Sequence, residues 1–472
     1  MNKKNKADNN ILLRKANRNQ IGLVNLLFLK NELESFVKAR VKSQELWKRS
    51  KILPGGVSHN IRSLNLPLVN AFPVFIHSAN GAYLYDVDDI AYTDYWMGHF
   101  AMILGHNHPV IQKVLQEELL NGWHFGTTHE NQVKLAETLI RDNPSIEKVR
   151  FCTSGTESTM YAARLARAYT GKRLVLKAKM GWHGPNDTLF YNVKSPFTGE
   201  ESPGILPENQ AGVVTFNPYN YDATQKLIQT YASDLAAVII EPVLGGGGGF
   251  ALDMDFLKLL REETEKHDIL LIFDEVITGY RFLYGLLQND IKIFPDITTM
   301  GKIIGGGLPI GLVGGKDEII EQANPQIKNR VWIGGGTFSA NPLSMVAGLR
   351  TLKLLENKDQ EYKNINHAGM ELQTKLNNFF NEEKVNLVAT GYKSILFLHV
   401  TTKFLENPNP NEIVKYSDNK KEAFLSLTLL NRNITGMHGV GALSLVHTSG
   451  HIQKLYDAII EVAPLISKAQ IA

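Results

Sequence analysis

The sequence predicts an α/β protein built on a mainly parallel sheet with crossover helices, and three observations carry that prediction. Short apolar runs alternate with helical patterns through the middle of the chain, as strands and crossover helices do. Several runs end in polar or glycine-rich segments, which is how strands read where they feed loops at one sheet edge. At 472 residues the chain is long enough to bury a large interior, and its length suggests two or three domains, or one large domain with a satellite.

The elements follow in chain order. The segment "GAYLYDVDDIAYTDYW" (81 to 96) alternates and belongs to an N-terminal part. The clearest strand runs are "KVRFCTS" (148 to 154), "RLVLKA" (173 to 178), "GVVTF" (212 to 216), "LAAVIIEPV" (235 to 243), "DILLIFDEV" (268 to 276) and "IGLVGG" (310 to 315). Between them, "TESTMYAARLARAYTG" (156 to 171) and "MDFLKLLREETEKHD" (254 to 268) carry apolar residues at helical spacing, with Gly171 placed as a C-terminal stop. Together these make an α/β core of about 250 residues. A C-terminal part after Pro342 opens with a helical run and ends in mixed elements, and the chain shows no internal repeat or low-complexity tract.

Composition excludes several classes of function. With 43% hydrophobic and 21% charged residues the chain is an ordinary globular protein, neither disordered nor fibrous. A net charge of +3 leaves no basic footprint, so nucleic acid is a poor partner. The single cysteine, Cys152, rules out an internal disulfide framework and a cysteine zinc site, which fits a reducing cytoplasm. At the N-terminus "MNKKNK" and "IGLVNLLFLK" loosely resemble a signal peptide. The apolar run is only about ten residues, is interrupted by Asn25 and lacks a small-residue cleavage site. The expectation is a mobile tail leading into an amphipathic helix, with no segment crossing a membrane.

Four places after the apolar runs are candidates for chemistry. "TSGTES" (153 to 158) follows one strand and opens a helix, so its hydroxyls and backbone N–H groups suit a phosphate; equally, Ser154 or Thr156 serves there as a plain N-cap. The GxGxxG and GxxxxGK[ST] spacings are both absent. In "LLIFDEVITGYRF" (270 to 282), Asp274 at a strand end is desolvated and needs a cation or a protonated nitrogen, whether a ligand's or that of a structural partner such as Arg281. In "TTMGKIIGGGLPIG" (298 to 311), the strand "PDITTM" (295 to 300) delivers Lys302 to the same edge as Asp274. Glycines 305 to 307 permit a close ligand approach or a tight turn. A lysine in apolar surroundings has a lowered pKa and a nucleophilic amine, suited to a Schiff base. "GGGTFSANPLS" (334 to 344) offers a second phosphate contact at Thr337. His106, His108 and His129 read as turn residues rather than as a metal site.

As a set, "PGGVSHNIRS", "GHNHPVI", "CTSGTESTMYAARLARAYTGK", "GWHGPND", "IIEPV", "LLIFDEVITGYR", "TTMGKIIGGGLPIGLVGG" and "GTFSANPLSMVAG" make the chain resemble the class III (fold type I) pyridoxal-phosphate aminotransferases. The resemblance covers roughly residues 45 to 465 and is greatest to the glutamate-1-semialdehyde aminomutase branch. It implies a fold type I architecture, in which a large domain with a mainly parallel sheet between helices joins a smaller α/β domain made from N- and C-terminal segments. The corresponding divisions are 1–40 as tail and helix, 41–95 and 346–472 as the small domain, and 96–345 as the large cofactor-binding domain. It implies pyridoxal 5'-phosphate held by Lys302 as a Schiff base, with Lys302 also moving the proton, and Asp274 keeping the pyridine nitrogen protonated. Val276 and Trp182 would pack on the two ring faces. Ser154, Gly155 and Thr156 would take the phosphate, and His183 and Glu241 complete the cofactor shell. Thr337 would reach the partner subunit's phosphate, which implies a homodimer with shared active sites.

Arg62 in "NIRS" stands where the aminomutase branch grips a substrate carboxylate, which points to small amino-acid or keto-acid substrates. Three positions depart from that branch. Gly439 aligns with its glutamate, His99 with its tryptophan, and Gly245 or Gly246 with a polar residue after the "EP" pair. These departures favour an intermolecular aminotransferase over a glutamate-1-semialdehyde 2,1-aminomutase.

Overall fold

The computed structural model describes residues 27–193, 202–437 and 439–469, so of the expected tail and helix over 1–40, residues 1–26 lie outside the described residues. Two helices, over 27–39 and Val41–Arg49, are separated at Arg40. The buried Arg40 guanidinium donates to the Tyr92 hydroxyl at 2.8 Å and to the Leu430 carbonyl at 2.7 Å, tying this segment to both ends of the chain. Three antiparallel strands follow: β1 (Ile76–Asn80), β2 (Tyr83–Asp86) and β3 (Ala91–Asp94), the last two realising the alternating segment.

The central sheet contains β4 (Lys148–Cys152), β5 (Leu174–Ala178), β6 (Val213–Phe216) and β7 (Leu235–Ile240). After a small hairpin, β8 (Val243–Leu244) with β9 (Phe250–Ala251), it is completed by β10 (Leu270–Asp274), β11 (Ile297–Gly301) and β12 (Gly311–Gly315). The spatial order is β4, β12, β11, β10, β7, β5, β6. Every residue of β5, β7, β10 and β11 is buried, as expected for strands covered by helices on both faces.

The run "IGLVGG" departs from the parallel expectation, because β12 pairs antiparallel with both β11 and β4. The link from Gly301 to Gly311 is shorter than the roughly dozen residues a parallel crossover needs, so the chain reverses. Glycine suits this insertion: a Cβ on Gly311 would stand 2.1 Å from the Ser154 carbonyl oxygen.

The remaining strands are β13 (Leu387–Tyr392), β14 (Ile395–Val400), β15 (Ile434–Thr435) and β16 (Gly441–Ala442). β15 pairs parallel with β3, placing N- and C-terminal segments in one sheet. One apolar core joins them, including Phe36, Leu66, Tyr92, Leu372, Leu425 and Ile459. The expected division at residue 345 falls inside the helix Pro342–Leu355. That helix buries Met345, Leu352 and Leu355 against Leu135, Leu139 and Ile304, beside the central sheet.

Among the described residues no helix is long and apolar enough to cross a membrane. His106 is paired with Asp94 at 2.7 Å, and no group of potential metal ligands occurs among the described residues.

Candidate active site

The carboxyl ends of β4, β5, β7, β10 and β11 converge on one sheet edge, and the predicted residues emerge there. Asp274 is the last residue of β10 and pairs in register with Thr299 of β11, two residues before Gly301. Its carboxylate is buried. Oδ1 accepts from the Val276 N–H at 3.1 Å and the Thr299 hydroxyl at 3.0 Å, and Oδ2 accepts from His183 Nδ1 at 2.8 Å. A carboxylate has about four acceptor sites, so one on Oδ2 is left for a further donor.

His183 follows β5, and complete burial lowers its pKa although Asp274 opposes this. The ring is therefore neutral, with the proton on Nδ1 facing an acceptor, while Nε2 is buried with no partner. Arg281 is not the partner of Asp274. It is fully buried and donates to the carbonyl oxygens of Phe100 and Leu443.

Lys302 begins a short 3-10 turn, Lys302–Gly305, directly after β11. Its φ of 51 is left-handed, a costly conformation for a side chain with a Cβ and one that clusters at functional sites. Its amine forms no hydrogen bond among the described residues. Burial lowers its pKa, while the negative charges of Asp274 and Glu241 partly restore it. The glycines after it serve the fold rather than a ligand: a Cβ on Gly306 would meet the Ala347 carbonyl at 2.7 Å, so this turn lies flat on the helix Pro342–Leu355.

The walls of the site are built by close approaches. A Cβ on Gly155 would stand 2.9 Å from a Val276 methyl, and one on Gly301 3.4 Å from the same methyl, so Val276 rests over two glycines. Glu241, just after β7, accepts from the Trp182 N–H at 2.7 Å and the Gly245 N–H at 3.2 Å. Burial and the charge of Asp274 raise the Glu241 pKa. A Cβ on Gly246 would stand 2.6 Å from Trp182 Cβ, so the glycine run presses on the aromatic wall. Trp182 meets Phe190 edge-on, with ring centroids 5.7 Å apart.

Ser154 is the N-cap of the helix Gly155–Thr170, its hydroxyl accepting from the Glu157 N–H at 3.2 Å. The plain capping role is thus filled, and the N–H groups of Gly155 and Thr156 remain at the open helix start. A Cβ on Gly184 would stand 2.2 Å from the Thr156 hydroxyl oxygen, bringing the loop after His183 onto this helix end.

Two predicted residues stand apart from this cluster. Arg62 is exposed on the turn Asn60–Ser63, on the side where His59 and His99 lie. Thr337 is exposed and lines a separate cavity of about 620 Å³ with His124, Phe125 and Gly336. Of the three departures, His99 lies close enough to Lys302 and Arg62 for their charges to act on it, whereas Gly439 (φ 85) packs on Leu398. Sequence reasoning missed Thr299, which sits in "ITTM" with nothing local to distinguish it from Thr298.

A family model described as aminotransferase class-III matches residues 67–390. The chain is 35% identical over 424 residues to a glutamate-1-semialdehyde 2,1-aminomutase of Thermoplasma acidophilum, covering 88% of this chain and 97% of that one. Among solved structures, an omega-transaminase from Sphaerobacter thermophilus superposes with a TM-score of 0.80 at 30% identity, covering 90% of this chain and 97% of that one. A β-phenylalanine aminotransferase from Variovorax paradoxus gives 0.81 at 27% identity, covering 92% and 96%. The chain belongs to the class III aminotransferases, enzymes of the fold type I group that transfer amino groups with pyridoxal 5'-phosphate.

Proposed function

We propose that this protein is an intermolecular aminotransferase that moves an amino group between a carboxylate-bearing amino compound and a keto acid or aldehyde. The observation that carries the amino-transfer chemistry of this reading is the unbonded, pKa-lowered amine of Lys302 beside the buried Asp274 carboxylate, which keeps one acceptor site open. Bound pyridoxal phosphate supplies an electrophilic carbonyl and an electron-accepting ring.

The chain's own residues divide the remaining work. Lys302 would hold the cofactor through its neutral amine and would carry the proton at the substrate carbon. Asp274, with room for one more donor, would keep the cofactor's ring nitrogen protonated. His183 and Thr299 hold that carboxylate in place, since each donates to it. Val276 and Trp182 would pack on the two ring faces, and Glu241 fixes Trp182 through its backbone N–H. Gly155 and Thr156 would take the phosphate at the helix start, with Ser154 holding that end in shape.

Thr337 of the partner subunit completes the phosphate site in a homodimer with shared active sites. What supports this is its exposure next to the exposed Phe338, whose ring lies 5.2 Å from that of His124 beside the exposed Trp123, aromatic exposure of the kind that marks interfaces. Arg62 takes the substrate carboxylate, as its exposed guanidinium on the His99 side suits. A cytoplasmic location is supported by the single, buried, unpaired Cys152.

Glutamate-1-semialdehyde 2,1-aminomutase activity is the second reading, favoured by relatives of that name. The intermolecular reading is preferred because Gly439, His99 and Gly245 or Gly246 stand where the aminomutase branch has a glutamate, a tryptophan and a polar residue. The omega-transaminase and β-phenylalanine aminotransferase neighbours accord with it. The test is to supply the amino form of the holoenzyme with glutamate-1-semialdehyde and measure 5-aminolevulinate. The proposal expects no efficient formation without a second keto acid; rapid formation without one would replace it by the aminomutase.

A further inference from the structure

The segment Met97–Phe100 is a left-handed helical turn. Its four residues have φ values of 48, 59, 59 and 70, three of them in residues other than glycine. The turn closes on itself, with the Phe100 N–H donating to the Trp96 carbonyl at 3.0 Å and the Met102 N–H to the Met97 carbonyl at 3.0 Å. Such backbone persists only where its surroundings enforce it, and it clusters at functional sites. Here both ends are fixed. The Asp94 carboxylate accepts from the Trp96 N–H at 2.9 Å and the Met97 N–H at 3.1 Å, and the buried Arg281 donates to the Phe100 carbonyl.

The residue this turn presents is His99. Its ring lies 4.5 Å from that of Trp96 and 5.3 Å from that of His59, and Lys302 and Arg62 are near enough for their charges to act on it. Neither ring nitrogen of His99 has a hydrogen-bond partner among the described residues. Burial pushes its pKa down to about 4, so it is a neutral imidazole with one donor and one acceptor. His59 uses Nδ1 to accept from the Ile61 N–H at 3.4 Å, which leaves Nε2 as a donor.

Beside this polar end runs an apolar wall. Ile61, Trp96 and Ile277 pack with Phe100, Val243 and Met437, and Ile277 closes on Gly245. The indole N–H of Trp96 is buried without a partner. The two carboxylates whose charges act on Lys302, Glu241 and Asp274, are held at the buried sheet edge by backbone and histidine donors. The surroundings of His99 thus have one donor-rich side and one apolar side.

We propose that His99 is a specificity-determining residue, hydrogen-bonding the carboxylate of an amino acid whose apolar side chain lies along Ile61, Trp96 and Ile277. The inference rests on the aminotransferase reading and names its substrate class as monocarboxylic amino acids with an apolar or aromatic substituent. Discrimination is stricter at the polar end. There Arg62 pairs the charge of the carboxylate and His99 adds a neutral donor whose loss weakens that contact, whereas the apolar wall distinguishes substrates only by size and polarity.

The test uses the cofactor-loaded full chain and follows the visible band of the bound cofactor after mixing with single donors. The panel is L-phenylalanine, L-leucine, 3-amino-3-phenylpropanoate, L-aspartate, L-glutamate and 1-phenylethylamine, which lacks a carboxylate. At least one apolar amino acid is expected to exceed both dicarboxylic acids about tenfold or more in kcat/KM. His99→Phe is expected to lower kcat/KM for that amino acid about tenfold, mainly through KM, and to leave 1-phenylethylamine within about twofold. His99→Asn, which tolerates the left-handed backbone and restores a donor, is expected to recover part of the loss. Faster reaction of the dicarboxylic acids, or equal losses for amine and amino acid in His99→Phe, would overturn the assignment. Failure of the unsubstituted holoenzyme to react with any donor on the panel would instead overturn the aminotransferase reading on which it rests.

Discussion

His183 Nδ1 lies 2.8 Å from Asp274 Oδ2, and both side chains are buried where β5 and β10 end. This pair orients the carboxylate without neutralising it, because burial keeps the imidazole uncharged. A buried anion held by neutral donors and facing one open acceptor site is prepared for a protonated ligand nitrogen.

Asp274→Asn therefore removes the charge while keeping the size. The variant is expected to fold and to bind pyridoxal phosphate, but to lose roughly 10²- to 10³-fold in the rate of amino transfer to the cofactor. Single-turnover absorbance with an amino donor checks this, and a loss below tenfold would remove Asp274 from its role.

Lys302 carries the pH dependence. Its lowered pKa means that the folded apoprotein releases this proton at a lower pH than the unfolded chain does. Cofactor uptake by the apoprotein should rise with pH to a midpoint below the ordinary lysine value. The stability that deprotonated Lys302 contributes is fully present above that ordinary value and is lost as pH falls through the lowered one. Asp274→Asn should move the uptake midpoint lower still, since the Asp274 charge raises the Lys302 pKa. Borohydride trapping after timed mixing across a pH series measures both midpoints.

Gly155 and Val276 form a contact that admits no extra atom. A Cβ on Gly155 would stand 2.9 Å from one Val276 methyl and 3.1 Å from the other, and Val276 is too stiff to move aside freely. Gly155→Ala is expected to weaken cofactor affinity by about 1–3 kcal/mol, the usual range for overpacking. The double variant Gly155→Ala, Val276→Ala should recover much of that loss, giving a non-additive cycle in spectroscopic titrations of the apoprotein.

The proposed homodimer with shared sites predicts complementation. Lys302→Ala and Thr337→Asp dimers should each be nearly inactive, the second through repulsion of the phosphate. After mixing and re-assortment, activity should return to roughly a quarter of the wild-type level, since half of a random population is mixed dimers with one intact site. Recovery of none, with mixed dimers shown to form, would place Thr337 and Lys302 in the same subunit's site.

Much of this was legible in the sequence because the strands are continuous apolar runs with polar residues at their carboxyl ends. Asp274 after "LLIF", Lys302 after "ITTMG" and the cap at Ser154 could be placed in this way. The reversal of β12 was not legible from its apolar run, since antiparallel pairing depends on the length of the link before it. The clamp of Glu241 on Trp182 and the grip of Arg281 on Phe100 were hidden too. Each joins residues far apart in the chain, and only the fold brings them together.

The central claim is that Lys302 is the amine that holds the cofactor. The direct measurement is borohydride reduction of the holoenzyme, proteolysis and mass analysis of the modified peptide. The account predicts one stable pyridoxyl adduct, on Lys302, and none in Lys302→Ala; an adduct on another lysine of the holoenzyme, or an active Lys302→Ala enzyme, would contradict it.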